Sequence, residues 1–547
     1  MENKSGNGDV RLFGLALNRR LAVLLLLLAV VAAYWNSLSA GFVWDDHYLI
    51  VEKGQFFSDP GNALAILKTA DNAQAVKTPY YRPLSILTFM MDYHLWGQNP
   101  FWYHLENLLL HAVCVLVFYL LVAEVFGDGA LAFISALLFA LYPVNAEAVD
   151  FISARNTLLN AAFVFGSLLV LKKGGPKRVF VLAAAGLFFL SLLSKEQTVA
   201  LPFFLLCLAL LLPGENFAGA QKWRPVKKWW MTLPAFFAAA AGYMVLRRAA
   251  LGMYASGEGI RFSAGRLVFI SNVVFEGARL MVFPFNLNAL YTNQSMAPFS
   301  WLKSLLSVLW LAMLIFLAVR KKTPAPLRAG ALWFLWMVLP VSDIIPIPSA
   351  PVAERFYYLP AAGFALMAGY ALRQAYRKVP PAGVALIILI AVSFEVRTFE
   401  RNFVWWDNLD LYQSMVRADP GNVDAYNNLG TAYLKIGKLP RAIGEFETAI
   451  SINPYYSEAH DDLGMAFTQL GRLNDAVREL TIAVDLKPDS AVAHNNLGAV
   501  YGKMGRYREA IGEFQTALRI YPGYAQAGRN LGMAEEELKK QDAGRAK

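Results

Sequence analysis

Residues 19–46 read RRLAVLLLLLAVVAAYWNSLSAGFVWDD, a long apolar run that ends on two adjacent acids. The run Leu21 to Leu38 is long enough to cross roughly 30 Å of hydrocarbon. Its basic flank, Arg11, Arg19 and Arg20, lies on the N-terminal side, so the positive-inside bias places Asp45 and Asp46 across the membrane from the cytoplasm. Charge is expensive to hold at a bilayer edge, so this carboxylate pair, flanked by Trp44 and His47, marks a working site. Leu21 to Leu28 followed by small residues has the outline of a signal peptide, but no small-x-small cleavage site precedes the aspartates; an uncleaved first span is expected.

The rest of the chain extends this pattern. Its 547 residues are 57% hydrophobic and mean hydropathy is +0.39, too apolar for a soluble protein of several domains. The net charge of +10 collects in short loops between apolar runs: Lys172, Lys173, Lys177 and Arg178; Lys222, Arg224, Lys227 and Lys228; Arg320, Lys321, Lys322 and Arg328; Arg373, Arg377 and Lys378. That distribution reads as membrane topology and excludes a nucleic-acid partner. With those loops cytoplasmic, about 11 spans are predicted near 19–38, 104–126, 129–142, 156–171, 178–194, 199–212, 229–246, 300–319, 329–345, 356–373 and 380–397. Ala264 to Phe285 is also apolar, but it carries Arg266, Glu276 and Arg279 at helical spacing and is read as interfacial or re-entrant. The N-terminus is then inside and the C-terminus outside. The only cysteines, Cys114 and Cys207, fall in predicted spans, so neither a disulfide nor a cysteine metal site is expected.

After Arg401 the composition becomes that of polar helix. Pro420, Pro454, Pro488 and Pro522 recur every 34 residues, and with them Leu-Gly pairs at 429–430, 463–464, 497–498 and 531–532. This is the tetratricopeptide (TPR) period: three complete repeats, a half repeat, and a leading helix from Asp407 to Ala418. The fold class is thus all-α, a polytopic membrane domain over 1–400, with its first outer loop at 39–100, followed by an extracytoplasmic TPR solenoid over 401–547. Asn427, Asn428, Asn495 and Asn496 occupy equivalent positions on first helices, with Asp461 and Asp462 between. They read either as a ladder that grips an acceptor polypeptide's backbone or as solvated helix surface.

The loops on the side of Asp45 carry further ionisable groups. Ser39 to Pro100 contains Tyr80-Tyr81-Arg82-Pro83; His104, Asn107 and His111 then share one helix face, suited to a cavity, a metal or a packing network. Later turns hold Glu147 with Arg155, then Lys195 and Glu196, then Glu354, Arg355 and Tyr358. Singly each pair reads as an interface anchor; four turns converging on one leaflet point to a site. Arg and Lys neutralise phosphate, and a carboxylate accepts the proton of an attacking hydroxyl. Together they suit glycosyl transfer from a membrane-held phosphate donor.

These segments, FVWDD (42–46), YRPLSILTF (81–89), WYHLENLLLHA (102–112), YPVNAEAV (142–149), SKEQ (194–197) and ERFYYLP (354–360), together with the repeats, resemble the transmembrane and TPR-containing O-mannosyltransferases, which have the GT-C membrane fold. The resemblance implies inverting transfer of a hexose, mannose in eukaryotic members, from a polyprenyl-phosphate carrier to Ser or Thr of a protein. It implies a catalytic base at Asp45 or Asp46, and donor or acceptor contacts from Glu147, Lys195 and Arg355. Arg82, His104, Arg155, Glu196 and Tyr358 complete the expected substrate-binding set. Tyr142 and Asn145 stand where the family usually has histidines. No cofactor is firmly implied, and a divalent metal is not expected. The short repeat array suggests a bacterial inner-membrane protein with site and repeats in the periplasm; in a eukaryote they would be lumenal in the ER. Two other readings remain: a non-catalytic scaffold for envelope or polysaccharide assembly, and a GT-C enzyme acting on a glycan or lipid.

Overall fold

A computed structural model describes residues 10–12, 15–68, 80–211, 231–252, 264–291, 298–342 and 352–545. The chain divides into two compact units, Met1–Asp407 and Asn408–Lys547. Among the described residues the structure is helical apart from a hairpin of two three-residue strands, Val10–Leu12 and Leu15–Leu17.

In the first unit a helix stands at every predicted span. Arg19–Ser39, Pro100–Phe126, Ile152–Gly174, Trp301–Val319 and Pro380–Trp405 are individually long and apolar enough to cross a bilayer. Arg178–Ser194, Glu196–Leu211 and Ala325–Val341 are apolar but shorter. Gly129–Leu141 and Pro143–Asp150 form one bent pair, broken by 53°, where Pro143 has no N–H to continue the ladder. Leu233–Leu251 and Tyr358–Lys378 complete the set. Ala264–Val282 is helical, with Arg279 bonded to Glu276 at 2.5 Å; its charges set it apart from the helices apolar enough to cross. The basic loop at 222–228 lies outside the described residues.

Most helices start and stop where their sequences dictate. Asn99 caps the helix Pro100–Phe126, Pro100 fills its first position, and Gly127 closes it at φ +64°. Asp128 caps the next helix through Leu131 N–H. The buried core runs through Phe118, Phe139, Phe165, Phe188, Trp333 and Leu366. Close crossings rely on small residues: a Cβ on Gly330 would lie 2.6 Å from the Gly363 carbonyl oxygen.

The second unit stacks helix pairs Val423–Lys435/Leu439–Ile452, Ser457–Gln469/Leu473–Leu486 and Ala491–Lys503/Tyr507–Ile520 between a leading helix, Asn408–Ala418, and a closing one, Ala525–Arg545. Gly437, Gly471 and Gly505 turn each pair at φ +73°, +76° and +73°, a conformation that penalises any Cβ. At the Leu-Gly pairs the helices touch: a Cβ on Gly464 would meet Leu480 at 2.6 Å and one on Gly498 would meet Phe514 at 2.8 Å.

Candidate active site

Asp45 and Asp46 are neighbours in sequence and opposites in environment. The Asp46 side chain is fully buried. Its Oδ1 accepts from Ser153 N (2.8 Å) and Ser153 Oγ (2.5 Å), and its Oδ2 from Val43 N (3.1 Å). Burial pushes this carboxyl up to about 7 despite those bonds. Asp46 therefore ties the first loop to the turn at Ile152–Ala154, with both oxygens committed. Asp45 is exposed and makes no side-chain hydrogen bond among the described residues. Surrounding protein matter raises its carboxyl above the ordinary aspartate value, and the Arg355 charge pulls it partly back.

The backbone presents Asp45 at some cost. Trp44 adopts φ +51°, a left-handed conformation uncommon for a bulky residue. The indole is held there by stacking on Phe151 at 5.8 Å, and Phe151 stacks in turn on buried Trp405 at 5.2 Å. The Arg355 guanidinium sits against these rings, 6.0 Å from Trp44, 5.6 Å from Phe151 and 5.3 Å from Phe356.

Arg355 is anchored by buried Glu147, which bonds its guanidinium through Oε1 and accepts from its backbone N through Oε2 at 2.9 Å. Lys195 is buried, donates to Thr157 Oγ1 at 2.8 Å and lies 5.0 Å from the Phe356 ring. Burial, then Arg82 and Arg355, hold its ammonium well below the usual lysine value, opposed by Glu196 and Glu147. The Lys195 turn is fixed by Asn160, which donates to the Lys195 carbonyl at 2.7 Å, and by Gln197, which donates to Phe356 O at 2.8 Å. Arg82 grips Glu196 with two bonds, 3.0 and 2.6 Å, and lies 4.1 Å from the Tyr80 ring. Asp45, Glu147, Lys195, Arg355, Arg82 and Glu196 thus form one neighbourhood of mutually felt charges.

Other residues singled out from the sequence lie elsewhere. Arg155 bonds Asp92, donates to Asn107 Oδ1 at 2.9 Å and Tyr103 O at 3.1 Å, and lies 3.2 Å from Glu106. It is buried and its partner is Asp92, not Glu147. His104 contacts the Gly41 carbonyl at 3.3 Å. Tyr358 is buried with its hydroxyl 2.7 Å from His111 Nδ1. Tyr142 donates to the Met281 carbonyl and Asn145 to Phe139 O at 2.7 Å; both hold backbone. Among the described residues no three His, Cys, Asp or Glu side chains are grouped to hold a metal. In the repeats, Asn427 donates to Asp462 at 3.0 Å and Asn496 to Asp461 at 3.0 Å, while Asn495 accepts from Asn530 at 2.9 Å. The amide ladder is cross-linked between successive first helices, and no hydrogen bond from the Asn428 side chain is seen among the described residues.

Two contributors are not apparent from the motifs. Ser153 anchors Asp46, and Asp92 neutralises Arg155. Asp92 had a signal, a lone acid in the apolar stretch ILTFMMDYHLW (86–96); Ser153 had none.

Family models for "TPR repeat" match residues 464–505, and models for "Tetratricopeptide repeat" match 411–444 and 491–524. Protein O-mannosyl-transferase Tmtc3 of Drosophila melanogaster is 26% identical, covering 79% of this chain and 55% of its own length. Human TMTC3 is 24% identical over 78% of this chain and 50% of its own, and human TMTC1 is 26% identical over 82% and 58%. The chain therefore spans about half the length of the curated relatives it matches. With tetratricopeptide repeats in its tail and about four fifths of its length aligned to them, the chain is similar to the TMTC protein O-mannosyl-transferases.

Proposed function

We propose that this protein is a membrane glycosyltransferase that moves a hexose, mannose by analogy with its relatives' names, from a polyprenyl-phosphate carrier to Ser or Thr hydroxyls of a protein. The observation that carries this reading is the uncommitted Asp45 carboxylate beside Arg355, in the same charge neighbourhood as Lys195. The acceptor oxygen attacks the anomeric carbon and its proton passes to Asp45. The bond from that carbon to the phosphate oxygen breaks, configuration inverts, and the polyprenyl phosphate leaves with the electron pair. Arg355 and Arg82 offset the leaving charge. Burial disfavours Lys195 as a cation, and a phosphate beside it would favour the charged form.

An elevated Asp45 pKa suits a general base, because proton affinity rises while the ionised form persists near neutral pH. Asp46, buried and with both oxygens hydrogen-bonded, positions the loop. The repeats hold the acceptor polypeptide and raise its concentration near Asp45. The basic loops support a site and repeats outside the cytoplasm, and the short repeat array favours a bacterial inner membrane, with both in the periplasm.

The test is reconstitution in liposomes with polyprenyl-phosphate mannose and two acceptors, a folded protein and a short Ser/Thr peptide. Transfer to both with inverted anomeric configuration is expected. A chain ending at Asp407 is expected to keep the peptide reaction and lose most of the protein reaction. Absence of hexose transfer to either acceptor, with donor bound, would favour the scaffold reading.

A further inference from the structure

At the end of the helical unit that carries the basic loops, five helices leave an apolar cavity of about 110 Å³. Phe118, Phe165, Phe204, Trp333 and Leu366 wall it, and Lys172 stands at its polar edge. It is remote from the candidate active site along the same helices: Thr157, which accepts from Lys195, and Lys172 are 15 residues apart on one helix, roughly 22 Å at 1.5 Å per residue. Among the described residues no polar side chain but Lys172 lines it, an apolar lining that offers water few partners. A void between packed helices forfeits contacts that a hydrocarbon chain restores. Its rim is cationic: Lys172 is half-buried, faces exposed Glu124, and is followed by exposed Lys173, Lys177 and Arg178.

From the cavity's apolar lining and basic rim, we infer that it seats a short segment, a few methylenes long, of one acyl chain of an anionic glycerophospholipid, with the headgroup phosphate at Lys172 and Lys173. Basic pockets between membrane helices select anionic headgroups by charge, while the chain contributes packing. The seat does not rest on the enzymatic reading. Trp333 makes it observable, because its indole lines the cavity while its Nε1 donates to the Leu359 carbonyl at 2.7 Å.

The experiment uses the full chain in nanodiscs with phosphatidylglycerol or phosphatidylcholine brominated along the acyl chain, and reads tryptophan quenching. Trp333→Phe isolates the Trp333 contribution. The seat predicts Trp333 quenching that saturates at a several-fold lower mole fraction of the anionic lipid than of the zwitterionic one. Lys172→Ala with Lys173→Ala should erase that preference, and Ala329→Leu, which fills the cavity from a lining position, should abolish Trp333 quenching by either lipid while the fold persists by circular dichroism. Equal quenching by both lipids in the parent chain, or an anionic preference that survives loss of both lysines, would overturn the assignment. So would unchanged quenching in a folded Ala329→Leu chain.

Discussion

Two charge clusters sit near the Asp45 end of the helical unit, and they differ in how fully their charges are used. Around Arg155 every strong partner is internal: Asp92, Asn107, Tyr103 O and Glu106 surround a guanidinium that is 1% exposed. Around Arg355 the cation is held on one side by Glu147 and by aromatic faces, remains 18% exposed, and feels an Asp45 carboxylate that makes no side-chain hydrogen bond among the described residues. A closed cluster is architecture, because a buried charge with complete partners has no capacity left for a ligand. An open one, propped by rings and a strained Trp44, can take a ligand and a proton.

The contrast breaks most visibly at the acid pair. Asp45→Asn is expected to lower transfer ~10²–10⁴-fold, the usual range for a lost general base, with thermal stability unchanged because the side chain makes no hydrogen bond among the described residues. Asp46→Asn should instead lower stability by about 1–3 kcal/mol, since an amide N–H would face the Ser153 or Val43 donors and leave buried groups unsatisfied. Transfer rates and unfolding midpoints measured on both variants separate the roles; a stable, inactive Asp46→Asn chain would move the base to Asp46.

The cations make the next comparison. Arg155→Ala leaves Asp92 buried without its charge partner and is expected to cost about 3–5 kcal/mol of stability, whereas Arg355→Ala should spare the fold better and weaken donor binding, read by titrating polyprenyl-phosphate mannose. Equal loss of donor affinity in both would erase the distinction between open and closed clusters.

A smaller effect sharpens the Asp45 assignment. Transfer requires the ionised carboxylate, so the rate should rise with pH along a limb above the ordinary aspartate value of about 3.9, because the protein packed around its accessible carboxyl strips away part of its water and raises Asp45. Arg355 lowers it, so Arg355→Ala should shift that limb to higher pH in single-turnover assays. A limb that stays put would mean that the titrating group is not Asp45.

The smallest expected effect lies in the repeats. Both ring nitrogens of His460 face acceptors, Glu479 at 2.8 Å and the Pro454 carbonyl at 3.2 Å, an arrangement only the imidazolium satisfies in full. The Glu479 hydrogen bond raises its pKa against burial, so this contribution to stability is complete below about 6.5, the unfolded value, and is lost as pH rises through the folded one. Hydrogen exchange across residues 457–486, corrected for intrinsic rates, should show protection falling over that window in the parent and not in His460→Gln.

What could be read in the sequence follows the range of the interaction that determines it. The repeats were legible because Pro420, Pro454, Pro488 and Pro522 and their Leu-Gly pairs report local helix-turn-helix geometry. The helices of the membrane unit were legible from apolar runs. Which acid meets which cation was not: Arg355 pairs with Glu147 across 208 residues, and Arg155, eight residues from Glu147, turns to Asp92. The difference between Asp45 and Asp46 was equally hidden, since it depends on the Ser153 backbone arriving from 107 residues away.

The most direct test of the open cluster is a density map of the full chain in nanodiscs with polyprenyl phosphate bound. The account predicts the phosphate within hydrogen-bonding distance of Arg355 and Lys195, with Asp45 facing the adjoining space and Arg155 still enclosed by Asp92. A phosphate seated at Arg155, or one out of reach of both Arg355 and Lys195, would contradict it.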